Sequence, residues 1–196
     1  MSKRLRSFGS GGQGLVEFAI ALPLVTVLSL GVIEASYALL DQNVVSRISR
    51  EGSNLISRDV SLEDAGTALQ KMATTPINFS SDTKAFFSVI KKGNVPGTAN
   101  YDKIFLYARH SVGGLTGVSS KLSTYGAGSF RGAPDYQANN PDTDSSLQIT
   151  SVPGNVDIPQ GGMLYVTEVY TKHSLLTPLD KFAIVLPQTL YSSAYF

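Results

Sequence analysis

The spacing of hydrophobic and polar positions changes twice along the chain. From Leu15 to Leu40 the sequence reads LVEFAIALPLVTVLSLGVIEASYALL, almost continuously apolar, with Glu17 and Glu34 bracketing sixteen uncharged residues. As a helix, this run of 26 residues would extend about 39 Å at 1.5 Å per residue, more than the ~30 Å hydrocarbon core of a bilayer. Pro23 lies inside it and removes one backbone hydrogen bond, which predicts a kink or a local loosening. From Ile33 onward the pattern turns amphipathic. Ile33, Tyr37, Leu40, Val44, Ile48 and Leu55 share a helical face, with Asp41, Arg47, Arg50 and Glu51 off it. One long helix is predicted, its first half in lipid and its second half on a soluble domain, with a break near Gly52 or Asp59.

A shorter helix follows. Ser61 with Asp64 resembles a capping box, Leu62, Ala65, Leu69 and Met72 give the apolar face, and Pro76 ends it. After Pro76 the period becomes two. KAFFSVIKK (84–92) and KIFLYARHS (103–111) read as strands, as do SLQITSV (146–152), MLYVTEVYTK (163–172) and FAIVLPQTLYSSAYF (182–196). Pro187 marks the last as an edge strand or as broken at that point. Residues 112–146, rich in Gly, Ser, Asn and Asp, read as a long irregular excursion with short structure around Leu122. The fold class is therefore α+β: a long N-terminal transmembrane and amphipathic helix packed on a C-terminal antiparallel sheet. The expected organisation is a leader at 1–12, the helix at 13–58 and an exported globular domain at 59–196.

Charge refines this picture at one end only. Sixteen Lys and Arg against fifteen Asp and Glu leave a formal charge of +1, so no strong field draws the chain to nucleic acid. Lys3, Arg4 and Arg6 nevertheless precede the apolar run, and no acid comes before Glu17. A compact positive segment of this kind stays on the cytoplasmic side of a membrane. The chain has no cysteine, which excludes disulfides, thiolate metal sites and cysteine nucleophiles.

Chemistry-bearing clusters are sparse. His110 and His173 have no His, Cys or Asp neighbours at ligand spacing, so no metal site is expected. Asp135, Asp142 and Asp144 fall in a polar stretch that lacks the Gly and the closing Glu of an EF-hand loop. No nucleophile elbow or phosphate loop occurs, and GSGGQG (9–14) follows no strand, so it is not a dinucleotide fingerprint. Phe86, Phe87, Phe105, Tyr107, Tyr165 and Tyr170 read as core and cross-strand pairs. Neither an enzyme nor a cofactor is expected.

The small residues before Glu17 carry the most specific signal. GGQGLVEF separates Gly12 from Glu17-Phe18 by four residues, directly before the apolar helix. This resembles the processing site of type IV prepilins, and more closely the Gly-x-x-x-x-Glu-Phe site of the TadE-like pseudopilins of tight-adherence (Flp) pilus systems. The Val-Glu-Phe-Ala start, the mid-helix proline, Gly31-x-x-Glu34 and SREGSNLIS (49–57) are similar to that family's pattern, with Ser49 in place of its common alanine. LYVTEVYTKHSLLTPL and the terminal SAYF are similar to its closing strands, more loosely.

The resemblance implies a pilin-like fold and cleavage at Gly12-Gln13 by a prepilin peptidase. It implies that Glu17 and Phe18 act in processing and assembly, with Glu17 meeting the N-terminal amine of a neighbouring subunit. Its implied partners are the major pilin, other pseudopilins, the inner-membrane assembly platform and the membrane itself. The implied location is a bacterial inner membrane, single-pass, with the N-terminus cytoplasmic and the C-terminal domain exported, or incorporation in an extracellular pilus. Two other readings of the N-terminus compete. ASYA (35–38) fits a signal-peptidase cut, and a plain membrane anchor would hold Glu17 near the headgroups. Either leads to an exported surface-binding domain unrelated to pili.

Overall fold

A computed structural model of the chain describes residues 11–152, 154, 156–178, 181 and 187–196. These form helix α1 (Gly11–Ser57), helix α2 (Leu62–Met72) and strands β1 (Thr83–Lys92), β2 (Ile104–Val112), β3 (Met163–Lys172) and β4 (Thr189–Tyr195). The strands make one antiparallel sheet in the order β2-β1-β3-β4. The chain divides into two compact units, Met1–Leu39 with Ser174–Leu186, and Leu40–His173 with Pro187–Phe196.

In the second unit the sheet is covered on both faces. Alternation puts Ala85, Phe87, Val89, Ala108 and Val169 on one side, where they pack with Val45, Ile48 and Ile56 of α1 and Leu62, Ala65 and Leu69 of α2. On the other side Ile90, Leu164 and Val166 meet Leu122 and Ile158 of the excursion between β2 and β3. That excursion also returns along the outer edge of β2. Ile149 N–H donates to the Ile104 carbonyl at 2.9 Å, Ala138 N–H to Tyr107 at 2.8 Å, and Arg109 N–H to Tyr136 at 3.1 Å.

The long helix and the sheet meet differently from the pattern read in the sequence. In the second unit the buried positions of α1 are Val45, Ile48, Ser49, Gly52, Ser53 and Ile56, so the contact face is turned by about one residue, near 100°. Val44 and Leu55 are only half-buried, while Ile33, Tyr37 and Leu40 are exposed. The reason is that three small residues let the helix approach closely. Ser49 and Ser192 share a hydroxyl hydrogen bond of 2.9 Å, and Ser53 Oγ donates to the Ala194 carbonyl at 2.7 Å. A Cβ on Gly52 would stand 2.7 Å from Thr167 Cγ2 and 3.0 Å from Leu69 Cδ1. Gly52 is thus the seam of α1, α2 and β3. The helix does not break there; it ends at Ser57, shortly before Asp59, whose φ of 61° is left-handed.

The remaining elements follow local chemistry. Ser61 caps α2, its Oγ accepting from Asp64 N–H at 3.1 Å and donating to Asp64 Oδ2 at 2.8 Å. Leu62, Ala65 and Leu69 are buried as expected, together with Gly66, but Met72 is exposed. Residues 146–152 are not a strand. Asp144 accepts from Ser146 N–H at 2.9 Å and winds 145–147 into a single 3₁₀ turn, leaving only isolated bridges at Gln148 and Ile149. β4 begins after Pro187 and lies at a sheet edge; residues 182–186 of the expected strand lie outside the described residues.

Gly52→Ala should therefore destabilise the chain by about 1–3 kcal/mol through overpacking, whereas Gly31→Ala, with nothing within 4 Å of the added carbon, should not. Thermal unfolding of the full chain in detergent checks this. Equal melting of Gly52→Ala and wild type would show that the tight seam does not hold helix to sheet.

Candidate functional site

The segment singled out by the sequence forms the first turns of α1. Gly12 and Gln13 are helical; residues 1–10 of the leader lie outside the described residues. Gln13 Nε2 donates to Glu17 Oε1 at 2.9 Å across one helical turn. Phe18 is 66% exposed, and the space around Gly12 is open.

Beyond it the helix presents apolar side chains all round. Leu15, Ile20, Leu24, Leu28 and Val32 are all more than half exposed, and the most apolar window has a mean hydropathy of 2.2. In water each such side chain forgoes roughly 1.5–3 kcal/mol of burial. α1 is long and apolar enough to cross a membrane. Its few polar groups are turned inward on the backbone. Thr26, Ser29 and Ser36 each donate to the carbonyl four residues earlier at 2.8 Å, as a lipid environment requires. α1 continues through Pro23 without interruption.

Glu34 closes the uncharged run, and its carboxylate is fully buried. Within the first unit, Leu176 N–H donates to both carboxylate oxygens at 3.2 and 3.1 Å, Thr177 N–H to Oε2 at 2.8 Å, and the Thr177 hydroxyl to Oε2 at 2.6 Å. The sixteen residues between Glu17 and Glu34 span about 24 Å, less than the ~30 Å hydrocarbon core. In a helix that spans a bilayer, two acids that close together cannot both stand clear of the apolar layer. Glu34 meets the problem by taking donors from the segment after β3. Sequence reasoning recorded the acid but not this role. Its signal was an acid at the end of an apolar run, with no basic residue within a helical turn.

The second unit buries another acid. Glu168 on β3 accepts from the Ser120 hydroxyl, from Lys121 N–H at 2.8 Å and from the Tyr191 hydroxyl at 3.1 Å. Arg109 lies alongside, donating to Ser88 Oγ at 3.3 Å and Ser120 Oγ at 3.2 Å. Burial lowers the pKa of this guanidinium, and the Glu168 charge partly restores it. Burial pushes the Tyr191 and Tyr170 hydroxyls up to about 12, with the Glu168 charge adding to the shift. Lys121 Nζ rests 3.6 Å from the centre of the Tyr191 ring, and both residues line, with Glu168, a cavity of about 230 Å³. Both Glu168 oxygens are already engaged, so the cluster reads as structural.

The other candidates are separated. His110 stacks on Tyr136 with ring centres 3.9 Å apart. His173 Nδ1 is 2.8 Å from Asp41 Oδ2 and buried, tying the end of β3 to α1 within the second unit. Asp144 caps its 3₁₀ turn, and the Asp142 carbonyl accepts from Asn100 N–H. No group of three or more His, Cys, Asp or Glu residues suited to a metal ion occurs among the described residues.

The family model of TadE-like proteins matches residues 12–54, from the first turn of α1 to the residue after Ser53. No curated protein and no solved structure matches the chain. The match covers the exposed apolar helix, Glu34 and the small-residue seam, and stops before the sheet.

Replacing Glu34 by Ala leaves the Leu176 and Thr177 amides without their acceptor, at about 1.5–3 kcal/mol per bond to a charged group. Their hydrogen exchange should quicken by about tenfold or more, with the sheet amides unchanged, as measured by mass spectrometry. Unaltered exchange at both amides would remove Glu34 from this role.

Proposed function

We propose that this chain is a membrane-anchored pseudopilin that takes part in assembly of a tight-adherence (Flp, type IV-like) pilus and has no enzymatic activity. The match of the TadE-like family to residues 12–54 carries the proposal. The exposed apolar helix on which it falls supports it. A prepilin peptidase on the cytoplasmic face cuts between Gly12 and Gln13. Glycine suits the cut because it adds no side chain to a segment that must be drawn out extended. Cleavage removes Lys3, Arg4 and Arg6 and makes Gln13 the first residue.

Glu17 then becomes the fifth residue of the mature chain. In the monomer it accepts from the Gln13 side chain. In an assembly it pairs with the terminal amine of a neighbouring subunit, which makes a carboxylate in lipid tolerable and fixes the register between subunits. Phe18 faces outward beside it for contact with the peptidase and with neighbouring helices. The remaining partners are the major pilin, other pseudopilins and the inner-membrane assembly platform. The anchor crosses the inner membrane once, with the sheet-bearing unit exported.

N-terminal sequencing of the membrane-bound protein tests the first step. The expected start is Gln13, and Gly12→Ala should leave a heavier, uncleaved band. A start just after Ala38 would overturn the proposal in favour of an exported domain with a cleaved signal. Glu17→Ala should insert as well as wild type or better, yet reduce piliation and surface adherence. Normal pili in that strain would remove the pairing role.

A further inference from the structure

We propose that the segment Ser174–Pro178 is a second bilayer-contacting element, fixed to α1 by Glu34, with Leu176 seated in the lipid interface. The inference rests on the membrane reading of α1 given above and assigns a lipid contact to a part of the chain far from it in sequence.

Four observations lead there. Ser174–Leu186 belongs to the same compact unit as the exposed apolar part of α1 rather than to the sheet it interrupts. Its register on the helix is set by four hydrogen bonds to one carboxylate, so Leu176 lies at the level of Glu34, where the uncharged run ends. At that level Leu176 is 61% exposed, and so are Ile33 and Tyr37 nearly by half. Its neighbour Thr177 is buried with its hydroxyl turned onto Glu34, so the two amides and this hydroxyl face the carboxylate while the Leu176 side chain stays exposed.

A bilayer is the partner that fits. The large exposed side chains here, Ile33, Tyr37 and Leu176, are aliphatic or tyrosine, and tyrosine settles where apolar core gives way to headgroups. The contact is continuous with a helix surface that is itself unburied and apolar. An exposed loop of this kind in lipid must also satisfy its backbone N–H groups internally, and Glu34 does so for Leu176 and Thr177. The carboxylate and the loop therefore solve each other's problem. The loop supplies the donors that a buried acid requires, and the acid lets a loop enter the interface. A single helix can slide or tilt to suit the bilayer; a loop pinned beside it resists both.

The chain contains no tryptophan, so an indole introduced in place of Leu176 reports on that position alone. The full chain with Leu176→Trp is reconstituted in phosphatidylcholine vesicles whose acyl chains carry bromine either near the headgroup or near the chain end. Leu28→Trp, within the span, is the reference. The expected result is a blue-shifted Leu176→Trp emission, quenched more by shallow than by deep bromines, with the reverse order for Leu28→Trp. Adding Glu34→Ala to the Leu176→Trp chain should abolish its bromine quenching and expose the indole to aqueous acrylamide. The same addition should leave the Leu28→Trp signal unchanged. If Leu28→Trp is quenched by bromines while Leu176→Trp responds only to acrylamide, the loop contact is overturned and the membrane anchor stands. If neither is quenched by bromines, the membrane reading itself fails. Bromine quenching of Leu176→Trp that survives Glu34→Ala would overturn the pinning role of the carboxylate.

Discussion

A helix comes within hydrogen-bonding reach of a sheet only where its side chains are small, and in this chain that condition is met at Ser49, Gly52 and Ser53. The close approach permits serine hydroxyls of α1 to bond to β4 and leaves Gly52 no room for a methyl group against Thr167. Much of the second unit's core is arranged around this seam. Val45, Ile48 and Ile56 flank it and reach Phe87 and Val169, and α2 closes it from the side through Leu69. Ser49 and Ser53 succeed here because their hydrogen bonds are made, so their burial carries little penalty.

The two fully buried carboxylates follow a related logic. Glu34 and Glu168 both accept backbone N–H and hydroxyl donors held by local chain geometry. Fixed dipoles of this kind stabilise a charge without the conformational entropy of holding a long cationic side chain in place. In each case the acid organises irregular backbone: Ser174–Thr177 at one, Ser120–Leu122 at the other. These segments have few regular hydrogen bonds of their own, and the carboxylate takes the place of a strand partner.

Much of this was legible in the sequence and some was not. The α+β class, the long helix, the Ser61 cap and the bounds of β1, β2 and β3 followed from periodicity and local chemistry, each set within about ten residues. The contact face of α1 did not, because a search for apolar residues passes over Ser49, Gly52 and Ser53, which make the closest contacts. Residues 146–152 carry strand-like alternation, yet Asp144 turns the backbone first, and a side-chain cap outweighs a weak pattern. At the candidate site, Gly12, Gln13, Glu17 and Phe18 do fall together on one stretch of helix. Glu34 could be seen as an anomaly, but its donors lie 142 and 143 residues away, beyond any local rule.

The return of the β2–β3 excursion along β2 has a consequence for how copies of this chain can associate. An open sheet edge invites a strand from another molecule, and such strand exchange is a common route to unwanted aggregation. Here the carbonyls of Ile104 and Tyr107 and the amide of Arg109 are already spoken for by the chain's own backbone. A donor strand arriving at that side would have to displace all three bonds before forming its first. Strand exchange at the β2 edge is thereby hindered by a stretch of chain that has almost no regular structure of its own.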